Sequence, residues 1–469
     1  MAEQNLEKLI GRFHPRRTYK SGEVTVEVDG VFVRVDEETR IENGRVFVPI
    51  EDFLQDSAII RSARVSTGRD TLAINEKAAG LIGSLYKDSH VTPFEGGAMF
   101  RLRVEAPINI AQPFFQLPGS HNEFSGRYSV IDGEFSMPEH IQKNPEASEI
   151  FLEAGEDSKE VYKKFLDASM AKEQARFAVL FSFFTKFYWT VSLRHLLEIC
   201  ALEENKFAPR GFWDTRDRIF KKILEDWTPW AYDKFLEFPK VYKTRWAEEE
   251  ADEEADDGIF TELVENIGSF RLDNCLADEK LMRRGVKTGP SPKRGFGHSI
   301  LNFSLHYPIF VHRQWVRHRY GAWSELPVDF DGVVNGFDFY VPKYFREQIG
   351  KTMSYHYEDM ERGKNTEMKT ALLDLISRSI GRYWRMRQLG FSMADSAACL
   401  PYVFRIEALW SPNVEGLMNF FSLRCDSHAQ WEIRQFAKRI YLLFARLYPW
   451  ANEIFLKHIN YGTIETDET

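Results

Sequence analysis

Cysteine is scarce in this chain. Only four occur among 469 residues, and Cys200, Cys275, Cys399 and Cys425 stand far apart. With no Cys-x-x-Cys pair, neither a disulfide framework nor a zinc ribbon is encoded. Gly-rich dinucleotide loops, P-loops, His-Glu-x-x-His and serine nucleophile elbows are also missing, so no metal is expected. Long apolar runs are lacking too: Phe177 to Leu193, the most apolar stretch, is broken by Lys186 and falls short of the roughly 20 residues that span a bilayer. The first residues, MAEQNLEKLIGRF, have no apolar core of the signal-peptide kind. These absences predict a soluble cytoplasmic protein without a membrane partner. Positive charge is not in excess either, with 61 Lys and Arg against 70 Asp and Glu. Eight of the acids sit between Glu248 and Asp257, and removing them from the net charge of −9 leaves −1. A near-neutral body excludes a basic nucleic-acid coat.

What is present is an ordinary globular mixture, 43% apolar and 28% charged. Length alone suggests about three domains of roughly 150 residues. The run AEEEADEEADDG, 247–258, repels itself and buries nothing, which predicts a solvated linker between 1–246 and 259–469. The two parts repeat each other weakly. APINIAQPFF from Ala106 matches YPIFVHRQWV from Tyr307, and EFSMP at 134–138 matches DFYVP at 338–342. KFYWTVSLRHLLEI at 186–199 matches EALWSPNVEGLMNF at 407–420, and TPWAYDKF at 228–235 matches YPWANEIF at 448–455. Same order and similar spacing indicate a diverged tandem duplication.

Alternation over 23–48 predicts a hairpin, and 98–111 and 300–312 are candidate strands. Apolar residues at intervals of three and four predict helices over 158–177 and 366–389. A last helix carries the stripe Ile433, Phe436, Ile440, Leu443 and Leu447, with Pro449 expected to stop it. Strands followed by helices in each half give an α+β unit used twice.

Four clusters carry candidate chemistry. HRQWVRHR, His312 to Arg319, crowds like charges that need water or an anion. Its arginines suit a phosphate or an electron-rich ring, and the plain alternative is a solvated basic loop or pairing with the acidic linker. HNEFSGRYS, 121–129, offers a hydroxyl, a flexible backbone and a guanidinium, the parts of a phosphate cradle or merely a polar turn. In NVEGLMNFFSLRCDSHAQWEIR, 413–434, a helix would place Asn413 and Arg424 on one face. Leu417, Phe420 and Phe421 read as core, and His428 as a capping or core residue. HVTPFE, 90–95, marks a helix start.

Together the motifs resemble the flavin-dependent thymidylate synthase family. Its Arg-His-Arg, Ser-Gly-Arg-Tyr and His-Ala-Gln-Trp-Glu-Ile-Arg signatures are matched by RQWVRHR at 313–319, NEFSGRYS at 122–129 and HAQWEIR at 428–434, with ARVS at 63–66 and HVTPFE alongside. The likeness spans roughly residues 60–460 apart from the linker and a stretch near 343–365. It implies two tandem copies of a fold with a β-sheet and long helices.

Neither half carries the whole pattern. The first reads PFFQLP where Arg-His-Arg belongs, and the second reads PVDF, 327–330, where Ser-Gly-Arg-Tyr belongs. Only a glutamate is kept in both, as Glu123 and Glu325. The family's Ala-Arg arginine matches Arg176 but Ala397 in the second half. Its flavin asparagines match Asn413 and Asn419 but Ser192 and Glu198 in the first half. Its ring-facing arginine matches Arg424 but Glu203, and a flavin-contacting arginine is kept as Arg194 and replaced by Glu415.

Sorted by the family's shared pockets, the survivors form one composite dUMP site: Glu123, Ser125, Gly126, Arg127 and Arg176 with Gln314, Arg317 and Arg424. The resemblance assigns FAD to His90, Thr92, Arg194, Arg317, His318, Arg319, Asn413 and Asn419. It implies methylation of dUMP to dTMP with 5,10-methylenetetrahydrofolate and NADPH as co-substrates. Arg424 would be catalytic, stabilising negative charge on the uracil ring. Ser125 would bind, and Cys425 would take no part. Two chains would then form a homodimer that mimics the family tetramer. The alternatives are a flavin-dependent pyrimidine nucleotide hydroxymethylase and a non-catalytic nucleotide- or RNA-binding relic.

Overall fold

The computed structural model describes residues 17–31, 40–42, 45–47, 55–64, 76–124, 126, 130–131, 135, 137–205, 207–238, 260–277, 279–288, 292–350 and 356–458. The acidic run 247–258 lies outside them. The chain divides into two compact units. The first comprises Met1–Phe124, Glu134–Ser148 and Ser182–Glu249; the second comprises Ser125–Gly133, Glu149–Phe181 and Glu250–Thr469. Among the described residues no helix is long and apolar enough to cross a membrane.

The first unit contains β1 (Arg17–Ser21), β2 (Val24–Val31), β3 (Arg40–Glu42), β4 (Arg45–Phe47), β5 (Met99–Pro107), β6 (Ser120–Glu123) and β7 (Phe184–Ser192). Five of these form an antiparallel sheet in the order β1-β2-β5-β7-β6. The expected single hairpin over 23–48 is corrected: β2 pairs with β1 and β5, while β3 and β4 pair only with each other. One face of the sheet is core. Val26, Phe100, Leu102, Val104 and Trp189 are fully buried, as period-two alternation requires. Behind that face the Phe114 ring meets Phe187, Trp189, Phe212 and Phe220 edge-on, the favoured aromatic geometry.

The second unit repeats this design with β8 (Phe260–Val264), β9 (Gly268–Ala277), β10 (Ser299–Pro308), β11 (Ala322–Glu325), β12 (Arg346–Ile349), β13 (His356–Asp359) and β14 (Arg405–Ser411). Its sheet runs β8-β9-β10-β14-β11, the same order element for element. The hairpin β1–β2 is thus the counterpart of β8–β9. Both central strands stop earlier than expected. Pro107 and Pro308 end them and stand at the N-caps of the helices Ile108–Gln116 and Ile309–Trp315. Gly119 (φ +124°) and Gly321 (φ +115°) precede the edge strands β6 and β11, where a Cβ would run into the carbonyls of Thr190 and Ser411. Only glycine suits either turn.

The second unit takes in chain from before the acidic run. The Ala171 and Phe181 N–H groups donate to the Arg346 and Leu400 carbonyls, and Tyr402 N–H donates to the Val179 carbonyl. Asp157 accepts from Arg378 and Arg382, at 2.7 and 2.6 Å, on the helix Arg362–Gln388. These two guanidiniums hold its carboxyl below the usual range against the opposing effect of burial. The terminal helix is Trp431–Leu447. Pro449 does more than stop it, because it opens a further helix, Pro449–His458, as proline does at a first turn.

Asp56 in the first unit is buried and accepts the Trp230 and Ala231 N–H groups at 3.1 and 3.0 Å, capping the helix Pro229–Glu237. Burial pushes its carboxyl up to about 7, more than those two bonds lower it. A value raised above the unfolded one stabilises fully at low pH, and that contribution is lost as pH rises through about 7. Between pH 4 and 8 the wild type should therefore lose on the order of 4 kcal/mol relative to Asp56→Asn. Parallel melting curves for the two proteins across that range would contradict the assignment.

Candidate functional site

The polar centre of the second unit gathers side chains from both sides of the acidic run. The first half of the segment HRQWVRHR, expected as a strand end or basic loop, is instead helix. His312, Arg313, Gln314 and Trp315 are buried in Ile309–Trp315. Past the helix, Arg317 and Arg319 are exposed and His318 between them is buried. Arg176 lies in a short 3-10 turn, Arg176–Ala178, and is almost fully buried.

The side chain of Gln430 joins these pieces. Its Oε1 accepts from Arg176 Nη2 at 2.6 Å and from Gln314 Nε2 at 2.9 Å, and its Nε2 donates to the Glu173 carbonyl at 3.4 Å. Gly126 adjoins the same place: a Cβ on it would stand 3.8 Å from Arg176 Cδ. Arg424 closes the far side. Its Nε donates to His318 Nε2 at 2.8 Å and its Nη2 to the Gln314 carbonyl at 3.0 Å.

These bonds fix a tautomer. A guanidinium can only donate, so His318 Nε2 must accept and the ring proton resides on Nδ1. Burial, with Arg424 and Arg317 adding to it, lowers the imidazole to about 3, since both penalise a cation. The buried His318 Nδ1 and Gln314 Oε1 have no hydrogen-bond partner among the described residues. A lowered imidazole stabilises the fold above about pH 6.5 and loses that contribution as pH falls toward 3. Histidine NMR should show His318 as the Nδ1–H tautomer from pH 5 to 9. A titration near 6.5 would overturn this geometry.

The other expected site residues are distributed over both units. Glu123, in the first unit, accepts from Thr185 Oγ1 at 2.7 Å. Its counterpart Glu325 stands 3.2 Å from His312 Nε2. Ser125 and Arg127 lie outside the described residues. The residues expected to hold FAD divide between the units. His90 and Thr92 are exposed at the start of Thr92–Gly96, and Arg194 pairs with Glu95 and Glu198 at 2.8 and 2.9 Å. Arg317, His318, Arg319, Asn413 and Asn419 belong to the second unit. Asn413 caps Val414–Arg424 through Oδ1 to Gly416 N–H at 2.7 Å. Ser192 caps Leu193–Ala201 in the same way, so the asparagine-to-serine difference keeps a cap in each copy.

His428 is corrected: its side chain is 91% exposed and pairs with Asp426, neither core nor helix cap. Cys425 is buried, and its thiol is pushed up to about 12 by that burial, which leaves no thiolate nucleophile. Gln430 sits inside the HAQWEIR string, where nothing local marks it as a site residue. The available signal was the contrast with Pro209: both occupy the N-cap position of the helix that follows, Trp431–Leu447 in one copy and Arg210–Thr215 in the other.

Comparison with known proteins agrees with this duplicated plan. The family model described as thymidylate synthase complementing protein matches twice, over residues 51–230 and 243–450. A flavin-dependent thymidylate synthase of Thermosipho melanesiensis is 34% identical over 213 residues, covering 41% of this chain and 91% of that protein. One from Wolbachia pipientis is 30% identical over 240 residues, covering 46% and 81%. A solved UMP/dUMP methylase from Streptomyces cacaoi bound with 5-Br dUMP aligns with a TM-score of 0.39 at 21% identity, covering 47% of this chain and 98% of that one. The chain belongs to the flavin-dependent thymidylate synthase family, a family of enzymes, and carries the family's unit twice.

Proposed function

We propose that the chain converts dUMP to dTMP at one composite site, taking the carbon from 5,10-methylenetetrahydrofolate and the reducing equivalents from NADPH. The balance is dUMP, methylenetetrahydrofolate, NADPH and a proton giving dTMP, tetrahydrofolate and NADP⁺. The observation that carries this reading is the Arg176–Gln430–Gln314 bridge. It unites the first copy's arginine with the second copy's Arg-His-Arg segment inside one chain.

FAD, when bound, would carry the hydride. The buried Nδ1–H of His318 and the buried Gln314 Oε1 fit ligands that present an acceptor and a donor at one edge, as flavin and uracil rings both do. Arg317, His318, Arg319, Asn413 and Asn419, with His90, Thr92 and Arg194, would hold the flavin. Arg176, Arg127 and the Ser125–Gly126 backbone would take the nucleotide phosphate through charge-assisted bonds. Glu123, Gln314 and Arg317 complete the dUMP set. Arg424, fixed by His318 and Gln314, would face the uracil ring and stabilise negative charge as C5 turns nucleophilic. The rigid anchoring of its guanidinium means little reorganisation accompanies that charge. The protein would act as a cytoplasmic homodimer with two sites.

The test is product mass after incubation with dUMP, methylenetetrahydrofolate and NADPH, alongside a visible spectrum that counts flavin per chain. One added CH2 and one flavin per chain are expected. Gain of CH2O would replace methylation by hydroxymethylation, and a colourless, inert protein would sink the enzyme reading.

A further inference from the structure

The second unit holds a cavity of about 590 Å3 to which none of the residues assigned above contributes. Its walls come from strands β12 and β13, from the segment leading into them, from residues 427–434 at the start of the helix Trp431–Leu447, and from Gln174 and Glu265. Three fixed cations line it, Lys343, Arg346 and Arg434, against the carboxylates of Glu265 and Asp359. Tyr344, Tyr357 and Trp431 give it aromatic faces.

Lys343 and Arg434 are poised rather than consumed, whereas Arg346 already faces the carboxylates of Glu173 and Glu432. Lys343 is exposed, with Nζ 5.5 Å from the Tyr344 ring centre, and no carboxylate pairs with it among the described residues. Arg434 donates Nη1 to the Ser427 carbonyl at 3.3 Å, while its Nε is buried without a hydrogen-bond partner among the described residues. Arg346 is anchored from behind by Glu173 at 3.2 Å and lies 5.3 Å from the Tyr357 ring centre. The helix Trp431–Leu447 begins at this wall with no side-chain cap, because Gln430 is turned toward Arg176 and Gln314. Its positive dipole end therefore adds to the field of the cations.

We propose that this cavity is a second ligand site, for a nucleoside phosphate. The phosphate would sit among Lys343, Arg346, Arg434 and the helix start, through charge-assisted bonds. The base would stack on Tyr344, Tyr357 or Trp431, with its N–H groups toward Glu265 or Asp359. The volume falls in the range of small-molecule pockets, roughly 300–1,000 Å3. Neither Arg176 nor Gln314 lines the cavity, so its ligand is independent of the reaction at their site.

The experiment is equilibrium dialysis and tryptophan fluorescence on the full chain, with ATP, dTTP, thymidine, inorganic phosphate and folinic acid as probes. Arg176→Ala serves as background, so that the other site is disabled. ATP or dTTP should bind, with thymidine and phosphate each at least about tenfold weaker. Lys343→Glu, an exposed change that leaves the core untouched, should weaken nucleotide binding about tenfold or more, and Arg434→Gln should do the same. Trp431→Phe should remove the fluorescence change. Nucleotide binding unaffected by Lys343→Glu and Arg434→Gln, no nucleotide binding at all, or binding of folinic acid alone would each overturn the proposal.

Discussion

Gln430→Ala should lower kcat/KM for dUMP about a hundredfold. The amide oxygen is fully buried and accepts from Arg176 and Gln314 together. Without it, a nearly buried guanidinium loses a 2.6 Å hydrogen bond and drifts from the geometry that presents it to a phosphate. Hydrogen bonds to charged groups contribute about 1.5–3 kcal/mol, and each 1.4 kcal/mol is about tenfold, so loss of this junction reaches about two orders of magnitude. Gln430 acts through Arg176 and Gln314, so it is a positioning residue, and Gln430→Glu separates that role from mere packing. The carboxylate still accepts both bonds and holds Arg176 in place, but it offsets the cation that should face the phosphate. KM for dUMP should rise while kcat falls much less. If both variants shift only the melting temperature and leave KM unchanged, the junction is structural and the site lies elsewhere.

The sequence reached the family and the duplication because both rest on ordered strings with fixed spacing. The paired prolines, tryptophans and glycines recur at equivalent places. Phe135 bridges Phe183 in the first unit as Phe339 bridges Phe404 in the second. The strand ends were overrun because apolar periodicity continues across Pro107 and Pro308 into helices that are themselves buried, and a short apolar run does not distinguish the two. The pairing of β2 with β5 was not visible, since alternation names a strand and not its neighbour. The same holds for residues 168–181. Their backbone bonds to Arg346, Leu400 and Tyr402 join positions far apart in sequence, and no local pattern encodes them. Gln430 stayed hidden for a related reason: its value comes from what it touches, and in the string it is one polar residue among several. Asn413 shows the converse, because a residue matched to a flavin contact also has an ordinary structural duty as a helix cap.

Chains carrying Arg176→Ala and chains carrying Arg424→Ala should each be nearly inactive, and combining them should restore nothing. Removal of a donor aimed at developing charge costs about 10²–10³ in turnover, and loss of a phosphate-binding arginine is expected to be of similar size. The decisive part is the mixture. Arg176 reaches Gln430 of its own chain, and Arg424 is bound to Gln314, the other partner of that glutamine. A site closed within one polypeptide cannot borrow an intact arginine from another, so every site in a mixed assembly retains one lesion. Co-expression with two different tags, followed by sequential purification on both, isolates any mixed species for assay. Were the site shared across chains, such a species would contain one doubly intact pocket and recover a large part of the wild-type rate. Glu203→Ala supplies the matching control. It alters the position that corresponds to Arg424 in the copy lacking Arg-His-Arg, and it should leave turnover unchanged, because that copy contributes its Arg176 segment and not its ring-facing position.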